Sequence, residues 1–367
     1  MVAIPKKDGK VRITVNYKKL NAISSLDQPP IPRVDEVLDS LGKGRLFSLF
    51  DLVSSFRQIT IDKDTIPLTA FCTPTRLFEW LVMPQGSNAA PGRFVKVINE
   101  AIKDLDRVAA YLDDVIVYDP GPAAHVASIR SLFERLRKNN LKLSPSKANL
   151  GATEADPLGY LIYSSGVVPN AHKVTALAKM PVPKNKKQPR SLLGVIGYYR
   201  KILKNLSTRL LPINALLKQG VKFVFTPEME AIVRQSLNER ATPPILVYSD
   251  WDAVADNSRP VRLYCDTSID DFGTTLEQEQ PDGSVCSIVF ISRTTLDNER
   301  SWTPLDLESG SIVWAIKRLR GYLWSSKFLI YSDHKALENI TKVGEHNARV
   351  LAGVSLRLLQ YLSLIHI

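Results

Sequence analysis

Hydrophobic and polar positions alternate in short runs over the first 165 residues, and the runs predict strands interrupted by one long helix. "GRLFSLFDLVSSF" and "AAYLDDVIVY" read as strands, rich in β-branched and aromatic residues. In "HVASIRSLFERLRKNNLKL" apolar residues recur at Val126, Ile129, Leu132, Phe133 and Leu136, the period of a helix with one buried stripe. This is an α+β pattern. The proline- and lysine-rich run "MPVPKNKKQPR" cannot continue a regular element and marks a boundary or hinge. Amphipathic helices follow in "SLLGVIGYYRKILKNL" and "PEMEAIVRQSLNER", the second entered through Thr226 as a cap and Pro227 at the first helical position. "DWDAVADNSRP" reads as a polar linker. Beyond it "VRLYCDTS", "FGTTLEQEQ" and "SIVFISR" predict three strands, the last two joined by a "PDGS" turn. A long helix closes the pattern, "SWTPLDLESGSIVWAIKRLRGYL", with Thr303 as N-cap and Ile312, Ala315, Ile316 and Leu319 as its buried stripe.

Carboxylates interrupt these apolar runs at six places. In "YLDDVIVYD" Asp113 and Asp114 are adjacent, and a regular strand would send them to opposite faces. A tight hairpin at Leu112-Asp113-Asp114-Val115 puts both at an acidic tip, which is either a site or a turn facing solvent. Asp51 and Asp266 each end an apolar strand, and Asp333 follows another. Asp306 is explained by helix capping. Glu308, one turn on, is not, and reads either as a site residue or as a solvated surface group. Clustered ionised acids repel and lose hydration unless they are protonated or bridged by cations. Chain order groups Asp51 with Asp113 and Asp114, and Asp266 with Glu308 and Asp333. Two magnesium ions holding the attacking and leaving oxygens are one known solution, for phosphoryl transfer.

Charge narrows the class further. The 367 residues carry a formal net charge of +11 with a pI near 9.4, which favours a polyanionic partner, nucleic acid first. Cys72, Cys265 and Cys286 are too dispersed for a disulfide framework or a paired-cysteine zinc site, so a reducing compartment is expected. No apolar run is long enough to span a bilayer and no secretory signal opens the chain, so no membrane partner is expected. The expected location is intracellular: the cytoplasm, a virus-like particle or the nucleus.

The stretches "VAIPKKDGKVRITVNYKKLN", "LFSLFDLVSSFRQI", "LFEWLVMPQGSNAAPGRF", "YLDDVIVY", "LKLSPSKANL", "SLLGVIGYYRKIL", "LYCDTSIDDFGTTLEQ" and "LESGSIVWAIKRLRGYLWSSKFLIYSDHKAL" occur in this order. Together they resemble the reverse transcriptase and RNase H region of a gypsy-type (Metaviridae) long-terminal-repeat retrotransposon polyprotein. The resemblance implies a right-hand polymerase, with fingers and palm over 1–165 and a helical thumb and connection over 166–257. A truncated RNase H-like α/β domain over 258–367 would follow. It implies an RNA-directed DNA polymerase (a nucleotidyltransferase) with a ribonuclease H endonuclease domain, acting on an RNA template, a DNA primer, deoxynucleoside triphosphates and an RNA-DNA hybrid. Asp51, Asp113 and Asp114 would hold two Mg2+ in the polymerase site, or Mn2+ in their place, and Asp266, Glu308 and Asp333 two more in the hydrolase site. Phe56 would be the aromatic gate that rejects a ribose 2′-hydroxyl. Lys6 and Arg12 would grip the triphosphate, Gln85 would contact nucleotide or template, and Lys147 would protonate departing pyrophosphate or stand as a solvated lysine.

Departures from the pattern are also expectations. The family has fingers sequence before Val2 and a fourth RNase H acid beyond "RLLQYLSLIHI", so an incomplete RNase H domain is expected. Arg57, Asn16, "PGRFVK", Thr267, Gly310 and Pro157 depart from the usual residues. The alternative they support is a decayed retroelement fragment that binds nucleic acid without catalysis.

Overall fold

A computed structural model describes the chain except residues 1, 6–8, 10, 27–28, 30, 171–180, 239–245, 325, 335–336, 338–363 and 367. The chain forms two compact units, residues 1–158 with 162–164, and the remainder.

The first unit opens with the hairpin β1 (Val2–Pro5) and β2 (Val11–Thr14), followed by α1 (Lys18–Ile23) and α2 (Val34–Ser40). Then come β3 (Leu46–Asp51), the short hairpin β4 (Phe71–Cys72) and β5 (Leu77–Phe78), and α3 (Ala90–Ile102). The unit closes through β6 (Val108–Tyr111), β7 (Asp114–Asp119), α4 (Pro122–Lys138) and β8 (Asn149–Ala152). Strands β6, β7, β3 and β8 form one antiparallel sheet in that order. Its alternate residues Phe50, Val115 and Val117 pack against Phe94 and Ile98 of α3 and Leu132 and Leu136 of α4, so the strand and helix periods meet in one core.

Helix α4 departs from its expected stripe. Leu132 and Leu136 are buried, but Val126 and Phe133 are 59% and 41% exposed, and the inward position near the start of the helix belongs to His125. A buried imidazole needs partners, and the sheet supplies them. His125 Nδ1 lies 2.9 Å from Asp119 Oδ2 and Nε2 lies 2.7 Å from Ser48 Oγ. Ser128 donates to the other Asp119 oxygen at 3.0 Å, and Ser48 accepts the Gly151 amide at 2.9 Å. One polar network therefore ties α4 to β7, β3 and β8.

In the second unit α5 (Lys187–Tyr198), α6 (Leu206–Arg209), α7 (Leu211–Ala215) and α8 (Pro227–Asn238) enclose Leu192, Ile196, Leu206, Ile213 and Val233. Helix α5 starts inside the expected boundary run, with Pro189 in its first turn, where its missing N–H costs nothing. The expected linker at 250–260 is likewise structured. Asp250 caps a short helix, α9 (Trp251–Ala255), and Val254 joins the core of the following sheet.

That sheet comprises β11 (Val261–Thr267), β12 (Asp271–Glu279), β13 (Val285–Thr294), β14 (Phe328–Tyr331) and β15 (Leu364–His366), in the order β13-β12-β11-β14-β15, numbered after β9 (Tyr160–Tyr163) and β10 (Gly166–Pro169). Strands β11 to β13 are antiparallel, whereas β14 runs parallel to β11 and to β15. Helix α10 (Pro304–Arg318), followed by α11 (Arg320–Leu323), covers the sheet through Ile312, Ala315 and Ile316. Thr303 caps α10 as expected, accepting the Asp306 amide at 3.2 Å and donating to its carboxylate at 2.8 Å. Gly310, which costs helix propensity, has a packing reason. A Cβ there would meet the Trp302 ring at 2.7 Å. The helical and sheet parts are joined by Arg200 donating to the Ser292 carbonyl at 2.9 Å, and by the Ser207 amide donating to Ser292 Oγ at 3.0 Å.

Candidate active sites

The first acidic group lies where β3 ends beside the β6–β7 hairpin. Asp51 is the cross-strand partner of Asp114, and Tyr111 of Asp114 on the other side. The two-residue tip is therefore Leu112–Asp113, one residue earlier than expected, and Asp114 is the first residue of β7. Leu112 takes the left-handed conformation, φ 51°, that a tip this tight requires. Cross-strand partners put their side chains on the same face with Cβ atoms about 5 Å apart, which brings Asp51 and Asp114 within reach of one small ion. Asp113 follows from the tip, and its carbonyl accepts the Leu52 amide at 3.2 Å.

Two contacts define the local electrostatics. Lys147 Nζ lies 2.9 Å from Asp51 Oδ2, so this lysine is exposed yet paired. Ser55 Oγ donates to Asp113 Oδ1 at 2.6 Å. Phe56, next in the chain, sits half-buried in a short helical turn, and its ring meets Phe94 edge-on, centroids 5.8 Å apart. Gln85 precedes Gly86, whose φ of 107° and close approach to the Val15 carbonyl (2.8 Å from a Cβ placed there) leave room only for glycine. Asn21 donates to the Gly86 carbonyl at 3.0 Å, which fastens the Gln85 turn to the chain following β2. Arg12 lies on β2 opposite Ile4, and Lys6 falls outside the described residues.

The second group lies at the ends of two parallel strands. Tyr264 of β11 pairs with Tyr331 of β14, their rings stacked at 4.4 Å, so Asp266 and Asp333 stand two residues further along neighbouring strands. Helix α10 brings Glu308 within range of both charges. The surface reading of Glu308 is wrong: it is only 7% exposed. Burial, and then the negative charges of Asp333 and Asp266, push its carboxyl up from 4.5 to about 7. Ser332 Oγ, 3.4 Å from Glu308 Oε2, and the Thr267 hydroxyl oppose that rise. Cys265, adjacent to Asp266, is buried with its thiol pushed up to about 12, too high for a nucleophile at neutral pH.

The structure sets Asp51 opposite Asp114 with Asp113 next to it at the tip, and places Glu308 where it feels the charges of Asp333 and Asp266. Among the described residues no three His, Cys, Asp or Glu side chains are gathered onto one point as a metal-binding group. Both groups nevertheless fit hard divalent cations. Each offers carboxylate oxygens alone, one already draws the Lys147 ammonium, and the other carries a carboxyl whose proton affinity is raised by burial and then by the neighbouring Asp333 and Asp266 charges. Ser55 and Ser332, the hydroxyl partners of these acids, carry no spacing signal in the sequence.

Comparison with known proteins covers both regions. Residues 4–163 match the family model "Reverse transcriptase (RNA-dependent DNA polymerase)" and residues 256–361 match "RNase H-like domain found in reverse transcriptase". The chain is 35% identical over 358 residues to the retrovirus-related Pol polyprotein from transposon 297 of Drosophila melanogaster, covering 95% of the chain and 32% of that relative. It is 28% identical to the transposon Tf2-3 polyprotein of Schizosaccharomyces pombe, covering 95% and 26%. The chain spans about a third of the length of such relatives. A foamy viral protease-reverse transcriptase in complex with double-stranded DNA shares the fold over 99% of the chain and 64% of its own, with a TM-score of 0.86 and 19% identity. Another, with an RNA/DNA hybrid, gives 0.80 over 99% and 49%, again at 19% identity.

Proposed function

The chain belongs to the reverse transcriptase family of retrotransposon Pol polyproteins, and from that premise we propose that it is an RNA-directed DNA polymerase whose second unit carries a ribonuclease H site. The observation that carries the reading is the placement of Asp51 directly opposite Asp114, beside Asp113 at the tip. Three acids brought to one end of a sheet are costly unless something positive binds there. Magnesium or manganese, when bound, supplies the charge stabilisation that lowers the acidity barrier of a primer 3′-hydroxyl and steadies pyrophosphate.

The chain's own residues do the positioning. Asp51, Asp113 and Asp114 hold the cations, and rotation of Lys147 away from Asp51 frees both groups, the carboxylate for a cation and the ammonium for a phosphate oxygen. Phe56 closes the sugar side of the nucleotide pocket, where a ring rejects a 2′-hydroxyl. Gln85, on its constrained turn, faces nucleotide or template, and the triphosphate grip is assigned to Lys6 and Arg12. Asp266, Glu308 and Asp333 hold the cations of the second site, where the RNA strand of a hybrid would be cut. The net charge of +11 supplies the phosphate attraction that holds a template-primer duplex without reading its sequence. Foamy viral relatives of the same fold bind double-stranded DNA and RNA/DNA hybrid, which supports the same class of partner here. We assign residues 1–165 to fingers and palm, 166–257 to thumb and connection, and 258–367 to the RNase H-like domain.

The test is extension of a DNA primer on an RNA template with deoxynucleotides and magnesium, with D113N as control. Extension lost in D113N is the expected result. Equal signal from both proteins, or none from the wild type, defeats the reading and leaves a nucleic-acid-binding fragment.

A further inference from the structure

Phe56 lies on a four-residue turn, Ser55–Gln58, entered through Ser54 in the left-handed conformation at φ 47°. The turn is anchored at both ends. At its far end Gln58 donates to the carbonyls of Val53 and Lys142 at 2.6 and 3.0 Å and accepts the Lys142 amide at 2.6 Å. At its near end Ser55, 3% exposed, donates its hydroxyl to Asp113 Oδ1 at 2.6 Å. Between these anchors the Phe56 ring rests edge-on against the buried Phe94.

Only the near anchor reaches the acidic tip. The Gln58 anchor fixes the turn to a neighbouring loop, whereas Ser55 fixes the residue beside Phe56 to an acid of the site. A short hydrogen bond from a buried hydroxyl to a partly buried carboxylate is among the stronger ones and is directional. We propose that Ser55 is a specificity-determining positioning residue: its bond to Asp113 sets the distance between the acidic tip and the Phe56 ring, and so the discrimination between deoxyribose and ribose. This deepens the polymerase reading and rests on it. Ser55 touches no substrate in this assignment and acts through Phe56.

The experiment compares wild type, S55A and S55T in single-nucleotide extension with a deoxynucleotide and its ribonucleotide counterpart, separating kcat from KM. S55A lowers the ratio of kcat/KM values by about tenfold, the loss of one charge-assisted hydrogen bond, with a gain in ribonucleotide use, while S55T retains the bond and the ratio. Hydrogen exchange of the substrate-free proteins provides the second readout. The Arg57 and Ile59 amides, which bond Ser54 and Phe56 carbonyls at 2.7 and 3.2 Å, exchange faster in S55A and not in S55T. An unchanged ratio, or equal losses for both nucleotides, overturns the proposal. A wild type that exchanges as expected but extends no primer defeats the polymerase reading and, with it, this role for Ser55. Unchanged exchange in S55A removes the anchor itself, whatever the activity.

Discussion

Replacing Glu308 with glutamine should stabilise the second unit at alkaline pH and leave it unchanged at acidic pH. Helix α10 buries this carboxyl beside Asp333 and Asp266, which raises it from 4.5 to about 7. The folded state therefore holds the proton more tightly than the unfolded chain. Below about pH 4.5 both states are protonated and the residue has no penalty; between there and about pH 7 the penalty grows, and above it the penalty is complete. A rise of this size corresponds to at most roughly 3 kcal/mol, and solvent reaching the strand ends reduces it to about 2 kcal/mol. Urea unfolding of wild type and E308Q, in EDTA, at about pH 4.5 and pH 8, measures the difference. The expected result is coincidence at the lower pH and a gain of about 2 kcal/mol for E308Q at the higher. A constant difference at both values, or a less stable E308Q at pH 8, would refute the electrostatic account of this group.

Three further outcomes follow from the packing and charge. G310A should be destabilised by about 1–3 kcal/mol despite the better helix former, because its methyl meets the Trp302 ring at 2.7 Å; thermal melting measures it, and a more stable variant contradicts the contact. H125A should cost about 3 kcal/mol in chemical unfolding, since it strips a donor from the buried Asp119, and a loss under about 1 kcal/mol would show the network to be dispensable. Affinity for an RNA-DNA hybrid should fall steeply and linearly in log salt, and a flat salt profile would exclude a phosphate-led interface.

Much of this was legible in the sequence because chemistry and local pattern agreed. The acids at strand ends, the Thr303 cap and the "PDGS" turn follow from alternation and turn preference alone, and each appears at or within a residue of its expected place. The hairpin tip lies one residue earlier than the composition predicts, because either pair of central residues satisfies the same turn preference. Only the ladder, with Asp114 facing both Tyr111 and Asp51, decides the register. Glu308 was ambiguous for a different reason. A carboxylate at the edge of an apolar stripe is surface or site according to what the sheet sets opposite it, and Asp266 and Asp333 come from distant segments. The same non-locality hid the Asp119–His125–Ser48 network and left α4's stripe misread, since a polar residue with partners can take an inward position from Val126. The polar run at 250–260 read as a linker because its cap and its core contact, Asp250 and Val254, depend on tertiary packing.

The central claim is that the acids at the β3 end and the hairpin tip are tolerated together because they bind dications. Titration of Mn2+ followed by electron paramagnetic resonance, on wild type and on D51N and D113N separately, tests it without any need for turnover. Loss, or weakening by at least tenfold, of one class of bound Mn2+ in both variants, with the class held by the second site unchanged, is the predicted result. Identical binding curves for all three proteins would contradict it.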